Sequence, residues 1–398
     1  MEPALVVIGL NHRTAAIEVR EHFWMSAERQ REALSVLARS EGIEEVFVFS
    51  TCNRTEFVVW GDPTLAENSV LRFLAANYDL RLCEWRNFYR LIDEQALSHA
   101  FRVSCGLDSM HVGEGQIGYQ VNAAWQQAKR AGCTGPFLNA VLRRALAVRE
   151  RVSNEAAERL RPESAPHAAV DLVWELFGSF ENRNIVILGA GAMGRAAARE
   201  LRRRGAGSVC VLDARDGWAL DVSARLGIRA ESWAKRWERL EAADLVITAT
   251  SAAGIVLTAS EINALTARRK GRKQVIVDLA LPRDIDPDAR HIDGILLYDL
   301  DDLERAVKPP SATEDAGTAE IIVEEVQQFR KELAAHDPPT EISSLRRRLE
   351  EICKQELESF RLEQGPFPKE QDQMIAAVST RITHRIAGSF AKELRTRV

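Results

Sequence analysis

Cys52 stands in the segment STCNRTE, flanked by Ser50, Thr51, Asn53, Arg54 and Thr55. A cysteine kept for packing ordinarily lies among apolar neighbours. This one falls in a short polar turn between two apolar runs, VFVF and FVVW. Turn N–H groups and Arg54 favour a thiolate, the nucleophilic form of the side chain. The local sequence alone leaves an ordinary half-buried cysteine equally open. A second group of residues is Gly189, Gly191 and Gly194, spaced as G-x-G-x-x-G between the apolar run NIVIL and the helix-like AMGRAAARELRRRG. Glycines at that spacing permit a tight turn, close approach of a pyrophosphate and close packing of the following helix. Asp213 closes the next apolar run. A carboxylate there binds a ribose 2′-hydroxyl and repels a 2′-phosphate. Arg215 can do the opposite, so these residues leave NADH and NADPH both open.

A nucleophilic cysteine and a dinucleotide in one chain point to a particular order of chemistry. Reduction of a ketone needs a hydride but no nucleophile; acyl hydrolysis needs a nucleophile but no dinucleotide. Acyl transfer to sulfur followed by hydride delivery uses both and yields an aldehyde. An ester is a poor hydride acceptor because its oxygen donates into the carbonyl. A thioester is less stabilised, and thiolate leaves readily afterwards.

The elements that must position these residues fall into three blocks. In the first, strands are expected over 4–11, 45–49, 56–60 and 87–93, with helices over 26–40, capped by Ser26, and 64–78. This order predicts a small α+β sandwich with helices on one face. From Glu94 to about Leu160 the pattern is helical, broken at 106–115 and 131–136, and 137–160 reads as one long spine helix. In the second block, continuous apolar strands at 184–188, 209–214, 245–250, 274–280 and 294–299 alternate with helices, predicting a doubly wound parallel sheet. After the break KPPSATEDAG, 308–317, only helices are expected. Their apolar stripes are marked by Ile321 to Leu333, Ile342 to Ile352 and Val378 to Leu394, and the tail reads as a dimerisation module. The expected division is 1–160, 161–310 and 311–398: an α/β multidomain chain with an α+β catalytic domain, a Rossmann-like nucleotide domain and a helical C-terminal domain.

The chain has 398 residues and a formal net charge of −5, so a nucleic-acid partner must be held by a local basic face. Candidates are Arg143, Arg144, Arg149 and Arg151 on the spine and the loop ARRKGRK, 267–273. No apolar run is long enough to span a membrane. Six cysteines without CxxC spacing, and a start that reads straight into a strand, predict a cytoplasmic protein with reduced thiols and no zinc site.

The segments GLNHRTA, STCNRTE, GLDSM followed by GEGQ, GAGAMG, and DLALPRDIDP with LLYDLDDL resemble glutamyl-tRNA reductase in order and spacing over about residues 5–330. The resemblance implies NADPH-dependent reduction of glutamyl-tRNA to glutamate-1-semialdehyde, the entry step of five-carbon tetrapyrrole synthesis. It places the nucleophile on Cys52 and an activity-linked histidine on His99. Substrate binding falls on Thr51, Asn53, Arg54, Ser109, Glu114, Gly115, Gln116 and Gln120. The nucleotide loop falls on Gly189, Ala190, Gly191, Ala192, Met193 and Gly194. A V-shaped homodimer joined through C-terminal helices is also implied, and handover of the unstable aldehyde to glutamate-1-semialdehyde aminomutase fits the chemistry. Arg54 can present a fork to the glutamyl carboxylate, and His99 can accept the thiol proton or protonate the departing ribose oxygen. His12 and His111 are expected to serve packing and hydrogen bonding. Because cysteine and glycine loop fall in different blocks, spine bending or rotation of the nucleotide domain is expected to bring them together.

Four features depart from the family pattern: RERVSNEA in the spine, KPPSATEDAG without the expected arginine near 311, a tail without the usual ending, and DAR in place of NRT at 213–215, with Asp213 where the family has asparagine. Two other readings stand beside the main one. A dehydrogenase of shikimate-dehydrogenase type would ignore tRNA and need no cysteine. A non-catalytic tRNA-binding paralogue would bind tRNA without oxidising a dinucleotide.

Overall fold

A computed structural model describes residues 3–108, 116–155, 164–306, 312–335 and 341–364, with Ser379 and Ile386. In chain order the first elements are β1 (Ala4–Asn11), α1 (Ile17–Phe23), α2 (Ala27–Leu37), β2 (Ile43–Ser50), β3 (Arg54–Gly61), α3 (Pro63–Tyr78), α4 (Leu82–Trp85), β4 (Tyr89–Ile92), α5 (Glu94–Ser104), α6 (Gln116–Arg130) and α7 (Pro136–Glu155). Then come α8 (Ala165–Phe177), β5 (Asn184–Leu188), α9 (Ala192–Arg203), β6 (Ser208–Asp213), α10 (Asp216–Leu226), β7 (Arg229–Ser232), α11 (Arg236–Ala242), β8 (Leu245–Thr248), α12 (Ala259–Arg268), β9 (Gln274–Asp278), β10 (Ile295–Tyr298) and α13 (Leu300–Ala306). Two 24-residue helices follow, α14 (Ala312–Ala335) and α15 (Glu341–Gln364).

The first sheet is antiparallel with order β2-β3-β1-β4. Directly paired residues in such a sheet share a face. Leu5, Trp60 and Glu45 are paired, and Phe137 of α7 stacks on Trp60 with ring centroids 3.7 Å apart. On the opposite face Phe57, paired with Ile8 and Val48, meets Phe73 of α3 edge-on. All eight residues of β1 are buried. Helices therefore cover both faces, not one: the alternating strand pattern is apolar on both sides because α7 returns to the sheet from the following segment. Glu45 fixes that return. Its carboxylate accepts the backbone N–H of Gly135 and Leu138 at 2.8 Å and of Phe137 at 3.1 Å, satisfying the open donors at the start of α7.

The second sheet is parallel throughout, order β10-β9-β8-β5-β6-β7, with helices between successive strands. Its inner strands are buried along nearly their whole length, as expected of a sheet covered on both faces. The edge strand β7, RAES, carries no apolar run and was not anticipated. The break expected over 308–317 is shorter, because α14 begins at Ala312.

Met1–Val326 form one compact unit and Gln327–Val398 a second. Within the first, α1 locks onto the nucleotide-sheet segment. Ile17 joins its apolar core, and the Ile17 N–H donates to Asp301 at 3.0 Å. Buried Arg20 pairs with Asp301. Arg283 pairs with Glu21 at 2.8 Å and Glu18 at 3.0 Å. On α7, Arg151 is tied to Glu324 and Glu325, and Arg144 lies 3.4 Å from Glu325, so these two guanidiniums are committed to carboxylates. In the 267–273 loop Arg269 is buried and donates to the carbonyls of Leu240, Glu241 and Lys273, a folding role and not an open phosphate contact. The stripe from Val378 to Leu394 lies outside the described residues apart from Ile386, and so does His111. No helix among the described residues is long and apolar enough to cross a membrane.

Candidate active site

Strands β2 and β3 are joined by three residues, Thr51–Asn53, with Cys52 at the tip. The turn is held from inside. The Thr51 N–H donates to Arg54 O at 2.8 Å, and the Asn53 N–H donates to the Thr51 hydroxyl at 3.2 Å. Below it the Ser50 and Thr55 hydroxyls are 2.8 Å apart, and Thr55 donates to Phe23 O at 3.1 Å. Cys52 is half-buried and packs against the apolar core of the nucleotide sheet.

A cavity of about 410 Å³ opens there. One wall is Trp24, Thr51, Cys52, Asn53, Arg54, Ile117 and Gln120. The other is Gly191, Ala192, Met193, Asp213, Arg215, Trp218 and the strand ends 249–251 and 279–281. Cysteine turn and glycine loop thus face one space. The expected domain movement is not needed to bring them together, because α1 already holds the two sheets in contact.

The glycine loop fits a pyrophosphate on its own geometry. Gly189 has φ +103°, in the left-handed region, and a side chain there would meet Ala249 O. A Cβ on Gly194 would collide with Gly189 O, so the helix packs on the loop only without one. At Gly191 the nearest atom to an added Cβ is 3.9 Å away, which leaves the cavity side of the loop open. Gly191 caps α9 without a side-chain hydrogen bond, so the first N–H groups of α9 remain for an anion. The opposite lip is braced by two carboxylates. Asp278 accepts from the Thr248 hydroxyl and from the N–H groups of Ala280 and Ile285, and Asp284 accepts from the Thr250 N–H. Burial, together with the neighbouring Asp284, pushes Asp278 up to about 7, and burial pushes Asp284 up to about 6.

Behind the cysteine turn lies a buried ionic network. Arg54 donates through Nη1 to Glu56 at 2.6 Å and to Asp108 at 3.1 Å, and through Nη2 to the Asp108 carbonyl. The open carboxylate fork expected of Arg54 is therefore already taken by protein acceptors. Burial opposes its charge, yet Glu56, Tyr89 and Asp108 raise Arg54 above its ordinary value. Glu56 Oε1 also accepts from Tyr89 OH at 2.5 Å and lies 2.9 Å from His99 Nε2. Burial pushes Glu56 up, but His99, Arg54 and the hydrogen bonds to it outweigh burial and hold it well below the carboxylate range. His99 stands in this network and is not among the cavity-lining residues. Glu56 escaped the sequence reading; the signal was a carboxylate opening the apolar run FVVW inside a strand.

Of the other expected residues, Thr51, Asn53 and Gln120 line the cavity, and Asn53 Oδ1 is buried without a partner. Gln116 opens α6, while Ser109, Glu114 and Gly115 lie outside the described residues. His12 is buried with its Nε2 3.4 Å from Glu304 Oε1, and burial, with Arg54 and Arg13 nearby, lowers it to about 3. Burial pushes the thiols of Cys105 and Cys210 up to about 12 and 11, and raises that of Cys133, so these three stay protonated. Trp24 and Trp218 were also missed, because an aromatic at the end of a helix-like run carries no pattern of its own.

The family model described as the N-terminal domain of glutamyl-tRNAGlu reductase matches residues 8–156. That of the dimerisation domain matches 318–397, and between them a shikimate/quinate 5-dehydrogenase model matches 171–306. Glutamyl-tRNA reductase of Syntrophotalea carbinolica is 36% identical over 358 residues, covering 89% of this chain and 81% of its own. The chain belongs to the glutamyl-tRNA reductase family. The glutamyl-tRNA reductase of Solibacter usitatus is 32% identical and covers 98% of this chain and 94% of its own. A solved glutamyl-tRNA reductase from Methanopyrus kandleri is 24% identical, covering 97% of this chain and 93% of its own, with a TM-score of 0.44. The dehydrogenase model stops short of Cys52, which falls within the match to the glutamyl-tRNA reductase N-terminal domain.

Proposed function

We propose that this chain reduces the glutamyl group of glutamyl-tRNA to glutamate-1-semialdehyde, the first step of five-carbon tetrapyrrole synthesis. One observation carries the reading: Cys52 and the Gly191–Met193 loop line the same cavity. The Cys52 thiolate attacks the aminoacyl ester carbonyl, the C–O bond to the terminal ribose breaks, and the ribose oxygen takes a proton from solvent so that tRNA leaves as the alcohol. A dinucleotide held at Gly191, Ala192 and Met193 would supply the hydride, and the family resemblance gives it as NADPH. When the C–S bond of the resulting hemithioacetal breaks, the aldehyde departs and the thiolate returns. Asn53 Oδ1, an unpartnered buried acceptor on the wall, suits the substrate ammonium. Thr51 and Gln120 are placed for the remaining polar groups, and the resemblance adds Ser109, Glu114, Gly115 and Gln116. His99 acts through Glu56 and Arg54, orienting the positive charge beside the cysteine turn; its direct proton transfer has less support from the geometry.

The working assembly is a cytoplasmic homodimer. Residues 1–160 carry the nucleophile, 161–310 the dinucleotide and 311–398 the subunit contact, and the aldehyde passes to glutamate-1-semialdehyde aminomutase. Acid-stopped trapping with labelled glutamyl-tRNA tests the covalent step. Label is expected on Cys52 and absent in C52S; no adduct in the wild type, or an unchanged one in C52S, refutes it. Dinucleotide oxidation with charged against uncharged tRNA separates this reading from a free-substrate dehydrogenase and from a non-catalytic tRNA binder.

A further inference from the structure

The ribose end of the cavity carries residues that bear on which dinucleotide it takes. Asp213 ends β6 and lines the cavity, nearly all of it buried. Its Oδ2 accepts the Ala190 N–H of the glycine loop at 2.8 Å, and its Oδ1 accepts the Arg215 N–H at 2.8 Å and Nε at 3.2 Å. Burial pushes this carboxyl up, but those two amides and the Arg215 guanidinium outweigh it and keep it ionised. Arg215 lies over the Trp218 ring, 3.6 Å from its centroid. The cation next to the carboxylate is therefore held twice, by Asp213 and by the indole, and the Asp213–Arg215 pair is close to neutral. The other nearby cation, Arg195, lies 5.9 Å from the Trp218 centroid and donates to the Ala190 carbonyl at 3.3 Å.

From this arrangement we infer that the chain prefers NADH over the NADPH implied by its family, with Asp213 as the specificity-determining residue. A ribose 2′-hydroxyl has a proton to donate to the fixed carboxylate. A 2′-phosphate has none, brings nearly two negative charges, and meets a guanidinium already paired through Nε with that carboxylate. A phosphate that reached the Arg215 Nη groups would still lie beside the ionised Asp213 carboxylate.

The inference rests on the glycine loop being a dinucleotide site, and direct binding separates the two. Isothermal titration calorimetry of the full chain with NADH and with NADPH should give NADH an affinity at least about tenfold tighter, the effect of roughly 1.4 kcal/mol. In D213N, which keeps one acceptor oxygen for the Ala190 amide and loses the charge, the ratio should move at least about tenfold toward NADPH. R215A, which removes the cation, should leave or widen the preference for NADH. Equal affinities, or tighter NADPH, in the wild type overturn the preference and leave the dinucleotide site standing. Binding of neither overturns both. If D213N does not fold, the wild-type ratio and R215A decide.

Discussion

Replacing Glu56 with glutamine isolates the charge of one buried carboxylate. Its three hydrogen-bond donors, Arg54 Nη1, Tyr89 OH and the His99 ring, all meet Oε1, an atom that glutamine keeps. The substitution is therefore nearly isosteric and removes mainly the attraction to His99 and Arg54. Two unit charges about 4 Å apart in a medium of effective dielectric about 20 attract by about 4 kcal/mol. Arg54 retains Asp108, which offsets part of this, and loss of one partner of a buried pair costs about 3–5 kcal/mol. A loss of about 3 kcal/mol at pH 7 follows. The sign of its pH dependence is fixed. Glu56 is held below its ordinary value in the folded chain, so its contribution is present above the unfolded carboxylate range and lost as pH falls toward the folded value. Urea unfolding followed by tryptophan fluorescence should show a gap between wild type and E56Q that is widest near pH 7 and narrows below about pH 4. A gap under about 1 kcal/mol at pH 7, or one unchanged on acidification, would refute the argument that charge, not shape, holds this network.

Other substitutions read other parts of the structure. G191A should keep the stability of the wild type and lose dinucleotide affinity, because the added methyl enters open cavity space; G194A should lose both, its methyl meeting Gly189 O. Thermal unfolding and calorimetry on the two variants check this. R283A should loosen the contact with Glu18 and Glu21 and slow dinucleotide oxidation more than it slows formation of the glutamyl-enzyme, as single-turnover kinetics would measure. A brief pulse of iodoacetamide at neutral pH should label Cys52 and Cys83 and spare Cys105, Cys133 and Cys210, which peptide mass spectrometry resolves.

Much of this was legible because it is local. The parallel sheet follows from five continuous apolar runs, and the glycine turn from three residues whose lack of a side chain the packing requires. The hairpin turn carrying Cys52 follows from polar residues between two apolar strands. What escaped depends on contacts distant in sequence. Nothing near Phe137 says that it returns to Trp60, so the second covered face of the first sheet was missed. Arg54 looked available until Asp108, far along the chain, took its guanidinium. Arg151 and Arg269 looked like surface cations for the same reason: each has acceptors on another helix, distant in sequence. The shared cavity was also beyond local pattern, because it depends on pairs such as Arg20 with Asp301.

Glu45 has a mechanical consequence. Its carboxylate grips the root of α7, and it stands on β2, the strand that runs directly into the Cys52 turn. Root and strand are thereby clamped as a single lever arm. Bending of the long helix at the point where it leaves the sheet would first have to release three amide hydrogen bonds from that one carboxylate.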